Sequence, residues 1–229
     1  TSRQRLAAGA VAEADAASPS TESLVDAAVE AGADAVGFVL YAKSPRFVPA
    51  QRAADLARRL PPFVTPVGLF VNAAPAEIEA ALRAMPGLLL QFHGDESPAE
   101  CERWRRPYLR ALAVTAETRL LDCAARHPGA QALLLDAPVE GYGGGGKVFD
   151  WSVLAPSDPA NAACRLVLSG GLNAANVGDG IRRVRPWAVD VSSGVEARRG
   201  HKRADLIHAF CAAVREADGA ANDPHLELP

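Results

Sequence analysis

Short apolar runs recur along this chain, each separated from the next by a stretch with helical spacing, and this alternation narrows the fold more than any other feature. The runs are AVGFVL (35–40), PVGLFV (66–71), LLLQFH (88–93), YLRALAV (108–114), ALLLDA (132–137), RLVLSGG (165–171) and AVDVSSG (188–194). Helical spacing occupies 50–60, 75–85, 98–106, 117–126 and 173–183, with a short turn near Trp151; a helix at 22–31 precedes the first run and one at 204–217 follows the last. Apolar runs without period-2 alternation belong to strands buried on both faces, and strand–helix crossovers join parallel strands. The fold class is therefore α/β. A helix ahead of the first clear run implies a preceding strand, and with it eight units; 229 residues suit a (β/α)8 TIM barrel. An open doubly wound sheet is the alternative.

A chain of this size with 49% apolar residues buries one large core. The expected organisation is a single domain over 1–217, with an atypical N-terminal segment at 1–23 and a loose, flexible tail at 218–229. A formal charge of -3 with scattered basic residues leaves no footprint for nucleic acid. The longest apolar runs fall far short of a membrane span. Cys101, Cys123, Cys164 and Cys211 show no CxxC spacing, so reduced thiols and a cytoplasmic location are expected. Glu13 and Asp15 interrupt any signal-peptide core in the opening segment.

In a barrel the chemistry sits at the C-terminal ends of the strands, and polar and glycine residues gather there: YAKSPR, QFHGDE, LDAPVEGYGGGGK, LSGGLNAANV and DVSSGVE. Gly170 and Gly171 ahead of a helix, and Ser193 and Gly194 after the last strand, offer backbone N–H groups of the kind that cradle a phosphate. Taken singly, each cluster reads as a tight left-handed turn. The two together, on the last two strands, match the usual phosphate site of such barrels. GYGGGGKV (141–148) nearly fits a P-loop, but Val148 replaces the hydroxyl that would ligate magnesium and no long helix follows. Glycines beside Lys147 suit a loop that closes over a ligand.

The segments EAGADAVGFVLYAKSPRFV, VGLFVN, QFHGDE, LLLDA, GGGGKVFDW, LSGGLNAANV and VDVSSGVEARRGHK, in this order and spacing, resemble phosphoribosylanthranilate isomerase of tryptophan biosynthesis over about residues 24 to 211. The resemblance implies an Amadori rearrangement of N-(5-phosphoribosyl)anthranilate to the carboxyphenylamino-deoxyribulose phosphate, with no cofactor and no metal. The implied partner is a small phosphosugar, handled by a monomer or homodimer without nucleic acid or membrane. A general acid protonates the ring oxygen and a general base removes the C2 proton. By the same resemblance Asp136 is the acid, which requires a raised pKa. Arg46 clamps the anthranilate carboxylate through its planar fork, His93 and Asp190 line the substrate pocket, and Gly170, Gly171, Ser193 and Gly194 form the phosphate cradle. For His93 a purely structural hydrogen bond is an equal reading, and for Asp190 a solvated strand-end aspartate is the plain one.

The departure from the family lies at the N-terminus. Family members open on a strand reading Lys-Ile-Cys-Gly-Leu-Thr whose cysteine is the base, and that motif is absent here. Counting back from Gly32 without gaps puts Ala17 and Ser18 at the Cys-Gly; sliding RLAAGAVAEAD onto the motif puts Ala8 at the cysteine. Neither register supplies a base, and a first strand at 6–12 is expected to form poorly. An altered reading of the coding sequence, a base delivered by Asp15 or Glu13, and a non-catalytic phosphosugar-binding homologue all remain open. So does another phosphate-binding barrel enzyme, although the lysine that a related lyase needs at a strand end is missing from the inner strands.

Overall fold

The computed structural model describes residues 5–8, 20–138, 149–154 and 164–221. Their eight parallel strands, β1 (Arg5–Ala8), β2 (Ala35–Val39), β3 (Thr65–Phe70), β4 (Leu89–Phe92), β5 (Tyr108–Ala113), β6 (Ala132–Asp136), β7 (Leu166–Leu168) and β8 (Ala188–Val191), form a closed barrel in chain order. The helices are α1 (Thr21–Glu30), α2 (Ala50–Ala57), α3 (Pro75–Ala84), α4 (Pro98–Glu102), α5 (Leu120–Arg126), α6 (Val177–Val184) and α7 (Ala204–Ala221), with a 3-10 turn at Trp151–Val153. After β8 comes a small hairpin of β9 (Glu196–Arg198) and β10 (His201–Lys202). Among the described residues no helix is long and apolar enough to cross a membrane.

The barrel, not the open sheet, is the architecture, and β1 closes it. It pairs with β8 over Arg5↔Ala188 to Ala8↔Val191, and with β2 at Ala7↔Ala35 and Ala8↔Val36. The expected strand at 6–12 therefore begins one residue earlier; 9–12 lie outside the described residues. Ser20 caps α1, its Oγ accepting from the Ser23 N–H at 3.2 Å, so residues 21–23 of the atypical segment already belong to the barrel's first helix. At the other end α7 runs on through Ala221, so the tail expected from 218 cannot start before 222; 222–229 lie outside the described residues.

Four helices differ from their expected spans: the one expected over 50–60 ends at Ala57, the one expected over 117–126 starts at Leu120, and the other two are cut for local reasons. The helix expected over 98–106 stops at Glu102, because the chain turns left-handed at Arg105 (φ 50°) ahead of Pro107. The helix expected from Asn173 starts at Val177, because Asn side chains bind the backbone there instead.

Two apolar sets fill the fold. Phe38, Leu90 and Leu133 join the large core shared with helix residues such as Leu24, Leu56 and Leu120, so they face outward from the sheet. Ala111, Ala132, Leu134, Val167 and Ala188 pack as a separate cluster on β5 to β8, the barrel's interior. Because side chains alternate with period 2, the positions two residues after Leu134, Val167 and Ala188 point the same way. They are Asp136, Ser169 and Asp190, a polar layer stacked on the apolar one at the C-terminal end.

Candidate active site

Three loops converge on this polar layer. Gly170 has φ 75° and Gly171 φ 65°, a left-handed pair that only glycine adopts without strain. A Cβ on Gly170 would stand 2.6 Å from the Ala137 nitrogen and 2.9 Å from Asp136 Oδ1, so the β7 loop lies directly against the end of β6. A Cβ on Gly194 would collide with the Leu172 carbonyl, its carbon at 2.8 Å. The β7 and β8 loops are thus in backbone contact, which is why position 194 is glycine. Asn176 Nδ2 donates to the Gly171 carbonyl at 3.0 Å, while its Oδ1 accepts from the Asn173 N–H at 2.8 Å, bracing the glycine turn ahead of α6. Ser193 and Gly194 sit in a single 3-10 turn, Ser193–Val195. Successive N–H groups in such turns form an anion-binding concavity.

Asp136 ends β6 with its Oδ1 accepting from the Ala137 N–H at 2.8 Å. Burial pushes its carboxyl above the ordinary range, against that hydrogen bond and the positive charge of Arg46. Asp190, on β8, is pushed up to about 6, chiefly by burial and further by the charge of Asp136, while a 3.1 Å hydrogen bond from Ser169 Oγ opposes the rise. Both carboxyls are hemmed in by protein yet keep an opening to solvent, as groups that face a ligand do.

Arg46 reaches the same end of the barrel with a protein partner on one edge. The β2–α2 loop returns it to the barrel end through a Val39↔Phe47 bridge and a 2.9 Å bond from the Val48 N–H to the Val39 carbonyl. Its planar fork is then taken by protein: Nε donates to Glu196 Oε1 at 2.7 Å and Nη2 to Oε2 at 2.9 Å, with both side chains nearly sealed. A buried guanidinium needs a carboxylate on its fork, so that edge is not available to an anthranilate carboxylate in this arrangement. Glu196 also binds Lys202, whose Nζ donates to Glu196 Oε1 at 2.9 Å, to the Ser192 carbonyl at 2.6 Å and to Ser192 Oγ at 3.2 Å. Burial alone would raise Glu196, but the Arg46 hydrogen bond and the Lys202 charge outweigh it and hold the carboxyl low. Burial brings Lys202 down to about 8 despite Glu196. Gly200 (φ 86°) lets the hairpin turn approach Pro45, whose carbonyl oxygen a Cβ would meet at 3.0 Å. The hairpin therefore straps the β2 loop to the segment carrying Ser193 and Gly194.

His93 comes from a different strand. It follows β4 and its Nε2 lies 2.6 Å from Gln91 Nε2. Burial, reinforced by Arg110, lowers it to about 3, so the ring is neutral at pH 7. The structural reading of His93 is the one its described contacts support. Asp136, Asp190, Gly170, Gly171, Ser193 and Gly194 come together, with Arg46 behind them. Glu196, Lys202 and Ser169 are the participants that sequence reasoning missed; the signal was present in EARRGHK, where an acid and a lysine flank a glycine turn. The glycine-rich loop at 141–146 and Lys147 lie outside the described residues.

The sequence model of the family described as N-(5'phosphoribosyl)anthranilate (PRA) isomerase matches residues 14–213. An N-(5'-phosphoribosyl)anthranilate isomerase of Methylibium petroleiphilum is 66% identical over 197 residues, 86% of this chain and 91% of that one. Its counterpart in Leptothrix cholodnii is 61% identical over 199 residues, 87% and 89% of the two chains. Among solved structures, phosphoribosyl anthranilate isomerase from Thermotoga maritima superposes with TM-score 0.80 at 38% identity, covering 93% of this chain and 99% of that one. A phosphoribosyl anthranilate isomerase complexed with reduced 1-(o-carboxyphenylamino)-1-deoxyribulose 5-phosphate gives TM-score 0.77 at 35% identity, covering 93% and 99%.

Proposed function

Because the chain belongs to the phosphoribosylanthranilate isomerase family, we propose that it converts N-(5'-phosphoribosyl)anthranilate to 1-(2-carboxyphenylamino)-1-deoxyribulose 5-phosphate in tryptophan biosynthesis. The observation that carries this reading is a carboxyl with raised pKa, Asp136, set against the glycine turn of β7, whose loop touches that of β8. The turns hold the phosphate, and the ribose lies across the polar layer. Asp136 donates its proton to the ring oxygen as the ring C1–O bond breaks, opening the sugar to a Schiff base. Asp190 and Ser169 face the sugar hydroxyls. With the Nε/Nη2 edge of Arg46 held by Glu196, Nη1 and the second Nη2 hydrogen are the donors left for the anthranilate carboxylate. The protein works on this small phosphosugar in the cytoplasm, as a monomer or a homodimer.

The test is turnover of freshly prepared phosphoribosylanthranilate, followed by loss of anthranilate-type fluorescence, with Asp136→Asn alongside. Turnover abolished by that substitution is expected. Turnover unaffected by it overturns the assignment of the acid. One observation favours a second reading, a phosphosugar-binding homologue without activity: β1 ends in Ala7 and Ala8, neither of which can move a proton. Binding of the reduced product analogue without turnover identifies that case.

A further inference from the structure

The geometry points to Asp190 as the base that removes the C2 proton in this chain, a role beyond holding sugar hydroxyls; the inference rests on the isomerase reading above. The rearrangement needs a proton acceptor as well as a donor, and β1 brings none: its paired end is Ala7 beside Asp190 and Ala8 beside Val191. The vacated position therefore adjoins the strand that carries a carboxylate. Asp190 and Asp136 stand on β8 and β6, one strand apart across β7, which at about 4.8 Å between neighbouring strands separates their backbones by about 10 Å. Both project from the same layer, which in this reading puts the donor and the acceptor on two sides of the ribose.

Among the described residues, the other titratable groups near this layer are committed elsewhere. Lys202 Nζ makes three hydrogen bonds as a donor, and both Glu196 oxygens are bound to cations. His93 is matched with Gln91. Cys101, Cys123 and Cys211 lie in α4, α5 and α7, away from the strand ends, and burial pushes Cys101 and Cys211 up to about 11. Asp190 is held in place by Ser169 Oγ on Oδ2. A carboxyl near 6 is mostly ionised at pH 7 yet still has useful basicity, which is where a general base works best. The groups facing it are Asp136 from β6, Ser169 after β7 and Lys202 from the hairpin.

The proton balance closes. Asp136 gives its proton to the ring oxygen as C1–O breaks and the nitrogen lone pair forms the C1=N bond of an iminium. Asp190 takes the C2 proton; the C–H electron pair becomes the C1=C2 bond of the enolamine, and the C=N pair returns to nitrogen. Tautomerisation then moves the enol O–H proton to Asp136 and the proton on Asp190 to C1. C2 is oxidised from alcohol to ketone while C1 is reduced, so no external oxidant takes part.

The experiment compares the full chain with Asp190→Asn, Ala7→Cys, Ala8→Cys and each cysteine combined with Asp190→Asn. Turnover is measured against pH, and binding of reduced 1-(o-carboxyphenylamino)-1-deoxyribulose 5-phosphate is measured by titration. The expected results are a fall in kcat of about 1,000-fold in Asp190→Asn with analogue affinity within about fivefold, and partial recovery by one of the cysteines. The rescued enzyme's acidic limb should move from near 6 towards the thiol range, about 8.5. A kcat within threefold of the parent in Asp190→Asn overturns the proposal, as does loss of analogue binding in step with activity without recovery by cysteine. A parent chain without turnover that gains it from Ala7→Cys or Ala8→Cys also overturns it, while leaving the isomerase reading intact. A full set without turnover and without analogue binding overturns the isomerase reading itself.

Discussion

Replacing Glu196 by Gln should unfold this protein more readily than any single surface change, because one carboxylate neutralises two buried cations. The side chains of Arg46, Glu196 and Lys202 are 5%, 4% and 1% exposed, and Glu196 accepts from both cations at 2.7 to 2.9 Å. Gln keeps the shape but removes the charge, and its amide nitrogen faces a donor. Stripping the counter-ion from a buried pair costs about 3–5 kcal/mol. In a chain of this length each kcal/mol moves Tm by about 2–4 °C, so Glu196→Gln should melt about 6–20 °C lower by circular dichroism. Asp205→Asn, which breaks a solvent-exposed pair with Arg203, serves as the control and should leave Tm within about 2 °C. A drop of less than about 3 °C for Glu196→Gln would mean that Arg46 and Lys202 reach water or another anion, and that the hairpin is not strapped to the β2 loop by charge. Lys202 also holds the Ser192 carbonyl just ahead of Ser193 and Gly194, so the variant should raise KM for the phosphosugar even at temperatures where it stays folded.

Gly170→Ala places a Cβ 2.6 Å from the Ala137 nitrogen at a left-handed residue, which should displace Asp136 and lower kcat/KM about 100-fold, read in the fluorescence assay; a loss under fivefold would show that the acid tolerates movement. Gly194→Ala forces the Leu172 carbonyl away, so KM for substrate should rise more than kcat falls, and equal losses in both would put the clash outside the phosphate site. Asp190→Asn should stabilise the fold: the native carboxyl near 6 lies above the unfolded value of about 3.9, so the native state holds more protons between these pH values and loses stability as pH rises through them. Its Tm should exceed the parent's by about 2–4 °C at pH 7.5, roughly 1 kcal/mol in a chain of this size, with the difference vanishing towards pH 4; an advantage that persists at pH 4 would have a cause other than charge.

The strands from β2 to β8 were legible to within a few residues because burial on both faces leaves continuous apolar runs, and the punctuation after each run is chemical. Strand alternation explains the site only once the barrel is seen: with Leu134, Val167 and Ala188 inward, Asp136, Ser169 and Asp190 follow them on that face. Helix starts were less legible, since Asn173 and Asn176 satisfy the helical spacing on paper but bind neighbouring backbone groups in space. The Arg46–Glu196 pair joins residues 150 positions apart, and no local pattern announces such a partner. It appears only when the hairpin folds back over the β2 loop.

Strand β1 shows where legibility ends and why. Its pairing with β8 and β2 is a matter of backbone hydrogen bonds, which any non-proline residue can make, whereas the register read from sequence depends on distinctive side chains. Leu-Ala-Ala-Gly-Ala offers almost none, so neither register read from the sequence is compelling, and the strand realised starts at Arg5. The barrel closes all the same, because closure needs only four residues' worth of ladder on one side and two on the other. Backbone pairing can thus build the barrel without distinctive side chains on this strand. The base proposed for this chain is a neighbour of β1 in the same layer, Asp190 on β8.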